Sequence, residues 1–88
     1  MEIGQLRIWH IPQIPMTGFR YEVKNIEEAK LLLKVLAKYD DFQYKNNIKP
    51  DYSNASGLEV WDGSEWSEWY EDTYDYDIWE IIENEKEI

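Results

Sequence analysis

Only one stretch of this chain repeats apolar residues at helical spacing over several turns, and it lies between segments that alternate like strands. Ile26, Ala29, Leu33, Leu36 and Ala37 share one stripe, flanked by Leu32 and Tyr39, which is the period of an amphipathic helix. Asn25 before it and Glu28 within its first turn make a capping-box start: Asn accepts from a free amide and Glu reaches back. The spacing predicts a helix from about Ile26 to about Tyr39. On another face, Lys30, Lys34 and Lys38 recur at every fourth position. That row reads as a solvated helix surface, the alternative being that it faces the acidic C-terminal segment of the same chain.

The flanking segments follow a two-residue period. Leu6, Ile8 and His10 alternate with Arg7, Trp9 and Ile11, and Phe19, Tyr21 and Val23 share a face of a second strand. Pro12 and Pro15 make the intervening segment an extended, non-helical connection. After the helix, residues 40–57 are rich in turn formers, with Phe42, Tyr44, Ile48 and Tyr52 among them; they predict a loop that packs its aromatics back on the core. Leu58–Asp62 and Trp66–Glu71 then read as strands of a hairpin turned by Gly63, Ser64 and Glu65, with Gly63 free to take a positive φ. From Asp77 a short helix puts Ile78, Ile81 and Ile82 on one side and frays towards its end. The expected architecture is an α+β single domain over residues 1–88. It has a small, mostly antiparallel sheet of about four strands in the order β-β-α-loop-β-β, one main helix packed on it, and a short acidic C-terminal helix or tail.

Composition narrows the function classes. None of the 88 residues is cysteine, so disulfide staples and thiolate metal sites are excluded, in keeping with a reducing compartment. The longest apolar run, LLLKVL, is far short of the roughly 20 residues a membrane span needs. The opening MEIGQLRIWHIPQIP lacks the basic leader and apolar core of a secretory signal. A soluble, cytoplasmic chain is expected.

The net charge of −10 is concentrated at one end. Residues 1–58 hold seven acids and eight bases, whereas residues 59–88 hold twelve acids and the single base Lys86. Direct nucleic-acid binding needs cations to displace counterions from phosphate. An anionic membrane asks for the same sign, so neither partner is expected.

Catalytic equipment is sparse. His10, the one histidine, lies in an apolar strand and reads as a structural imidazole rather than a base. Without Cys or a second His, a zinc site lacks its usual ligands, and no metal or cofactor is expected. Asp72, Asp75 and Asp77 invite a calcium reading, but an EF-hand loop needs glycine at its sixth position, where Asp77 stands, and no glycine follows Gly63. Paired carboxylates could serve an acid-dependent hydrolase, and aromatics beside acids could hold a sugar. Neither reading has a specific spacing behind it, and the chain is read as a non-enzyme.

Charge spacing supports a different reading. Between Gly57 and Asp77 there are three Trp, three Tyr and eight carboxylates, with no Lys, Arg or His. Glu59, Asp62, Glu65, Glu68 and Glu71 fall at every third residue, followed by Asp72, Asp75 and Asp77. In extended chain that step separates carboxylates by about 10 Å. It also alternates strand faces, so the charge spreads rather than lining one side. Such a surface favours a steered, salt-sensitive encounter with a cationic groove. Trp61, Trp66, Trp69 and Tyr70 are candidate anchors for it, although strand alternation makes some of these rings core. The plainer alternative is an acidic face kept for solubility.

Three blocks resemble a known family: Trp9–Pro15 (WHIPQIP), Leu36–Gln43 (LAKYDDFQ) and Asn47–Leu58 (NIKPDYSNASGL). They are similar to small proteins encoded by phages and prophages of Gram-positive bacteria, some labelled superinfection-exclusion proteins. The resemblance covers most of residues 6–70 and supplies no catalytic residues. It implies a phage-encoded accessory or anti-defence protein acting in the host cytoplasm. Its target would be a host protein with a basic, nucleic-acid-binding surface, such as a CRISPR nuclease or another defence effector. A competing contact surface is the 47–57 segment, with Lys49, Asp51, Tyr52 and Asn54.

Overall fold

The computed structural model describes residues 1–12, 17–47 and 54–86. Its elements are β1 (Leu6–Ile11), β2 (Phe19–Val23), α1 (Ile26–Lys45), β3 (Ala55–Trp61), β4 (Trp66–Glu68) and α2 (Ile78–Lys86). The strands form one antiparallel sheet in the order β2-β1-β3-β4. This is the α+β architecture expected from the sequence.

Register sorts the side chains onto two faces. Ile8 lies opposite Tyr21 on β2 and opposite Leu58 on β3, and residues directly opposed in a ladder project to the same side. Leu6, Ile8, His10, Val23, Leu58 and Val60 therefore share the inner face. Arg7, Trp9, Glu59, Trp61, Trp66 and Glu68 share the outer one. Both helices contribute to the inner layer: Ile8, Val23, Ala29, Leu33, Leu58, Ile78 and Ile82 form one buried cluster, with Leu36, Trp69 and Trp79 against it.

Local chemistry fixes the element ends. Asn25 Oδ1 accepts from Glu28 N at 2.8 Å and opens α1. Gly63 adopts φ 105°, as the hairpin requires, while Asp62 Oδ1 accepts from both Ser64 N and Glu65 N at 2.8 Å. Asp77 and Glu80 form a reciprocal capping box for α2: Glu80 N donates to Asp77 Oδ1 at 2.8 Å, and Asp77 N to Glu80 Oε1 at 3.2 Å.

Three expectations are corrected. First, α1 does not stop near Tyr39 but continues to Lys45. The polar Asp40 looked like a turn residue, yet it lies on the core-facing line of the helix and is buried against His10. Phe42 and Tyr44 thus ride on a helix and stay exposed instead of folding back on the core; Ile48 and Tyr52 lie outside the described residues. Second, β3 starts at Ala55 rather than Leu58, and β4 ends at Glu68 rather than Glu71. Third, the lysine row is not simply solvated. Lys30 is buried, with Nζ 2.5 Å from Glu85 and 2.9 Å from Glu27. Lys34 Nζ lies 4.0 Å from the other Glu85 oxygen. Lys30 and Lys34 thus face the acidic C-terminal segment, where Glu85 ties α2 to α1.

Two predictions follow from this layer. Ile82→Ala removes a fully buried side chain of α2 and should cost about 2–5 kcal/mol in urea denaturation. The hydrogen bond from Lys30 holds the Glu85 carboxyl below its ordinary value of 4.5. Glu85, followed by Glu27, holds Lys30 above its ordinary 10.5. The pair's stabilisation is therefore present in full between those ordinary values. It is lost as pH falls through the depressed Glu85 pKa, or as pH rises through the raised Lys30 pKa. The Tm difference between wild type and Glu85→Gln should be flat across that window and shrink on both sides.

Candidate functional site

No helix covers the outer sheet face among the described residues, so its side chains cover one another. Arg7 Nε donates to Glu59 Oε1 at 2.8 Å, and Arg20 Nε approaches the same oxygen at 3.4 Å. The Arg7 guanidinium sits 4.0 Å from the centroid of the Trp66 ring. Trp66 in turn meets its register partner Trp61 edge to face at 5.6 Å. Such ring pairs and guanidinium stacking each contribute roughly 0.5–1.5 kcal/mol when partly desolvated.

Trp9 completes the cover. It lies opposite Gly57 in the ladder, and a Cβ on Gly57 would stand 2.7 Å from Trp9 Nε1. Only glycine lets the indole lie flat on β3. From there Trp9 hydrogen-bonds Glu68, whose carboxyl is nonetheless pushed above its ordinary value. Desolvation is the main cause, and the negative charges of Asp77 and Glu59 add to it. Glu59 and Glu68 are direct neighbours across β3 and β4, a like-charge pairing made tolerable by Arg7 and Arg20 on Glu59.

The sequence-predicted residues thus divide into two groups. Glu59, Trp61, Trp66 and Glu68 come together on the outer face, along with Arg7, Trp9 and Arg20, which the sequence reading had not assigned to a site. Their signal was available: Arg7 and Trp9 alternate out of phase with the apolar Leu6 and Ile8. Asp62, Glu65, Tyr70, Glu71, Asp72, Asp75 and Asp77 lie instead in the segments flanking β4. Trp69 belongs to neither group, because it packs against the core cluster.

Several of the flanking carboxylates are bound to backbone amides. Backbone hydrogen bonds from Glu65 and Ser64 hold the Asp62 carboxyl below its ordinary value. Desolvation alone would raise Glu71, but amides of the following turn outweigh it and lower its pKa. Thr73 N donates to Glu71 Oε2 at 3.0 Å, and Tyr74 N donates to Oε1. Asp77 caps α2. Glu65, Asp72 and Asp75 are exposed, and so are Tyr70 and Tyr74, the latter ring stacked on Tyr76 at 5.5 Å.

On the inner face, His10 is structural, as its strand context suggests. His10 and Asp40 are only 3% and 2% exposed. Nε2 lies 3.1 Å from Asp40 Oδ2, which also accepts from Asn54 Nδ2 at 2.9 Å. The pair borders a depression of about 470 Å³ shared with Ser56, Trp79 and Glu83. Enclosed this way it acts as a clamp between β1, the second half of α1 and the start of β3. Asn54, proposed from sequence as a contact residue, serves this clamp; Lys49, Asp51 and Tyr52 lie outside the described residues. Among the described residues no group of three His, Asp or Glu converges on a metal position. No described helix is long and apolar enough to cross a membrane.

The family model described as superinfection exclusion gene product 17 matches residues 5–87, from the start of β1 through α2. The chain belongs to that family. Among its relatives, the superinfection exclusion protein of Salmonella phage P22 is 45% identical over 86 residues, covering 83% of this chain and 84% of that protein. The resemblance read from the sequence, to small phage-encoded proteins labelled for superinfection exclusion, is therefore met. No solved structure matches the chain significantly.

The outer face makes its own prediction. Gly57→Ala should drive the Trp9 indole off β3, shift its NMR resonance and cost about 1–3 kcal/mol through overpacking. In a Trp9→Ala background the same substitution should cost less than about 0.5 kcal/mol, because the coupling lies in the contact itself.

Proposed function

We propose that this chain is a phage-encoded superinfection-exclusion protein that acts in the host cytoplasm by binding rather than by catalysis. Its target is a host protein whose cationic surface normally holds nucleic acid, such as a CRISPR nuclease or another defence effector. The observation that carries this reading is the charge asymmetry: twelve acids against one base in residues 59–88, beside a nearly neutral remainder. The geometry adds to it. Glu65 precedes β4, while Asp72 and Asp75 follow it with Tyr70 and Tyr74, so exposed carboxylates and exposed rings alternate around one edge strand. Fixed negative charge speeds encounter with a positive groove, and tyrosines supply contact area that outlasts the encounter. Asp62 and Glu71 contribute charge held in place by the backbone, which lowers the cost of ordering them at an interface.

The test is affinity purification of host partners with the intact protein, followed by a salt titration of the recovered complex. Glu65→Lys combined with Asp72→Lys leaves every turn-capping carboxylate in place and should weaken binding about tenfold or more. Affinity should also fall steeply between low and physiological salt. Binding that ignores salt and survives the double reversal rules out the cationic-target reading.

A further inference from the structure

We propose that the chain forms a two-fold homodimer through the free edge of β2, joining two sheets into one and packing α1 against its symmetry mate. This inference is independent of the acidic surface. It starts from the flank of α1 turned away from α2. Lys30, Lys34 and Ala37 face α2 or its neighbourhood, whereas Leu31, Val35 and Tyr39 recur at every fourth position on the other side and are 62%, 54% and 57% exposed. Next to them, Phe19 and Tyr21 on the inner face of β2 are 45% and 61% exposed. Between strand and helix runs a wholly apolar groove of about 190 Å³, lined by Ile8, Phe19, Tyr21, Leu32, Val35 and Leu36. These exposed side chains and the groove lie together on one flank, and contiguous apolar patches are often interaction sites.

The edge itself identifies the occupant. Trp61 N donates to the Gln5 carbonyl, which turns the backbone groups of odd-numbered β1 residues towards β3 and those of Leu6, Ile8 and His10 towards β2. By register, Phe19, Tyr21 and Val23 spend theirs on β1. Arg20 and Glu22 turn theirs outward, and among the described residues β2 has no second neighbour in the sheet. Antiparallel self-pairing about Tyr21 sets Arg20 opposite Glu22 of the second copy, twice over, with Phe19 opposite Val23. Both outward residues then exchange backbone hydrogen bonds as a regular pair, and their side chains meet with opposite charge. The two-fold axis runs through the sheet, so both α1 helices lie on the same side with their apolar flanks facing. The acidic segment begins at β3 and β4 on the far side of β1, so dimerisation keeps the two strongly negative ends apart. β4, the other edge, is only three residues long and bears the carboxylate of Glu68, features that discourage pairing.

Sedimentation velocity on the full chain from about 1 to 100 µM should show a monomer–dimer equilibrium. Glu22→Pro removes an outward amide hydrogen without touching the β1 ladder. It should retain the far-UV circular dichroism spectrum and raise the dimer dissociation constant at least about tenfold. Glu22→Arg should weaken the dimer similarly by setting like charges opposite each other. Val35→Glu should weaken it from the helix side. A chain that stays monomeric throughout overturns the proposal and leaves the flank to a different partner. A dimer unaffected by both Glu22→Pro and Val35→Glu overturns it in favour of another interface.

Discussion

A sheet with helices on one side only leaves its second face to be covered by the strands' own side chains. That constraint governs this fold. The inner face is solved conventionally, with Ile8 and Leu58 in register beneath Ala29 and Leu33 and with Ile78 and Ile82 filling the remainder. The outer face has no such lid among the described residues. Two arginines, three tryptophans and two glutamates lie across one another there, with Gly57 supplying the single flat place that makes room. The concentration of tryptophan that looks like a binding shelf in sequence is largely a substitute for a missing layer.

This changes how the acidic third of the chain is understood. Its carboxylates are not one surface. Glu59 is paired with two arginines, and Glu68 is hydrogen-bonded to the Trp9 indole. Asp62, Glu71 and Asp77 are held by backbone amides, while Glu85 reaches across to Lys30. Among the residues proposed for contact, Glu65, Asp72 and Asp75 are the exposed carboxylates that close no turn and cap no helix. The overall field nevertheless survives, since carboxylates bonded to amides remain charged.

Local chemistry was legible in the sequence and distant pairing was not. The Asn25 cap, the Gly63 turn, the strand alternation and the position of α1 each depend on a few neighbouring residues. Asp40 was misread because a buried carboxylate breaks the apolar stripe, and the histidine paired with it lies far away in the sequence, on β1. Lys30 was misread for the same reason, its partner being near the far end of the chain. The division of the candidate site followed from alternation for Trp69 and Trp66. The self-covering of the outer face depended on register, which a sequence pattern does not supply by itself.

The turn-capping carboxylates have a consequence for how such a chain can vary. A substitution of Asp62, Glu71 or Asp77 that deletes the side-chain oxygens also removes the acceptor that closes a turn or starts a helix. Asn at 62 or 77 loses the charge but keeps the one oxygen in use, so shape and charge are separable there. Glu71 spends both of its oxygens on amides, and Gln would leave one amide without its partner. Neutralisation is therefore costly to the fold at Glu71 and cheap at the two aspartates.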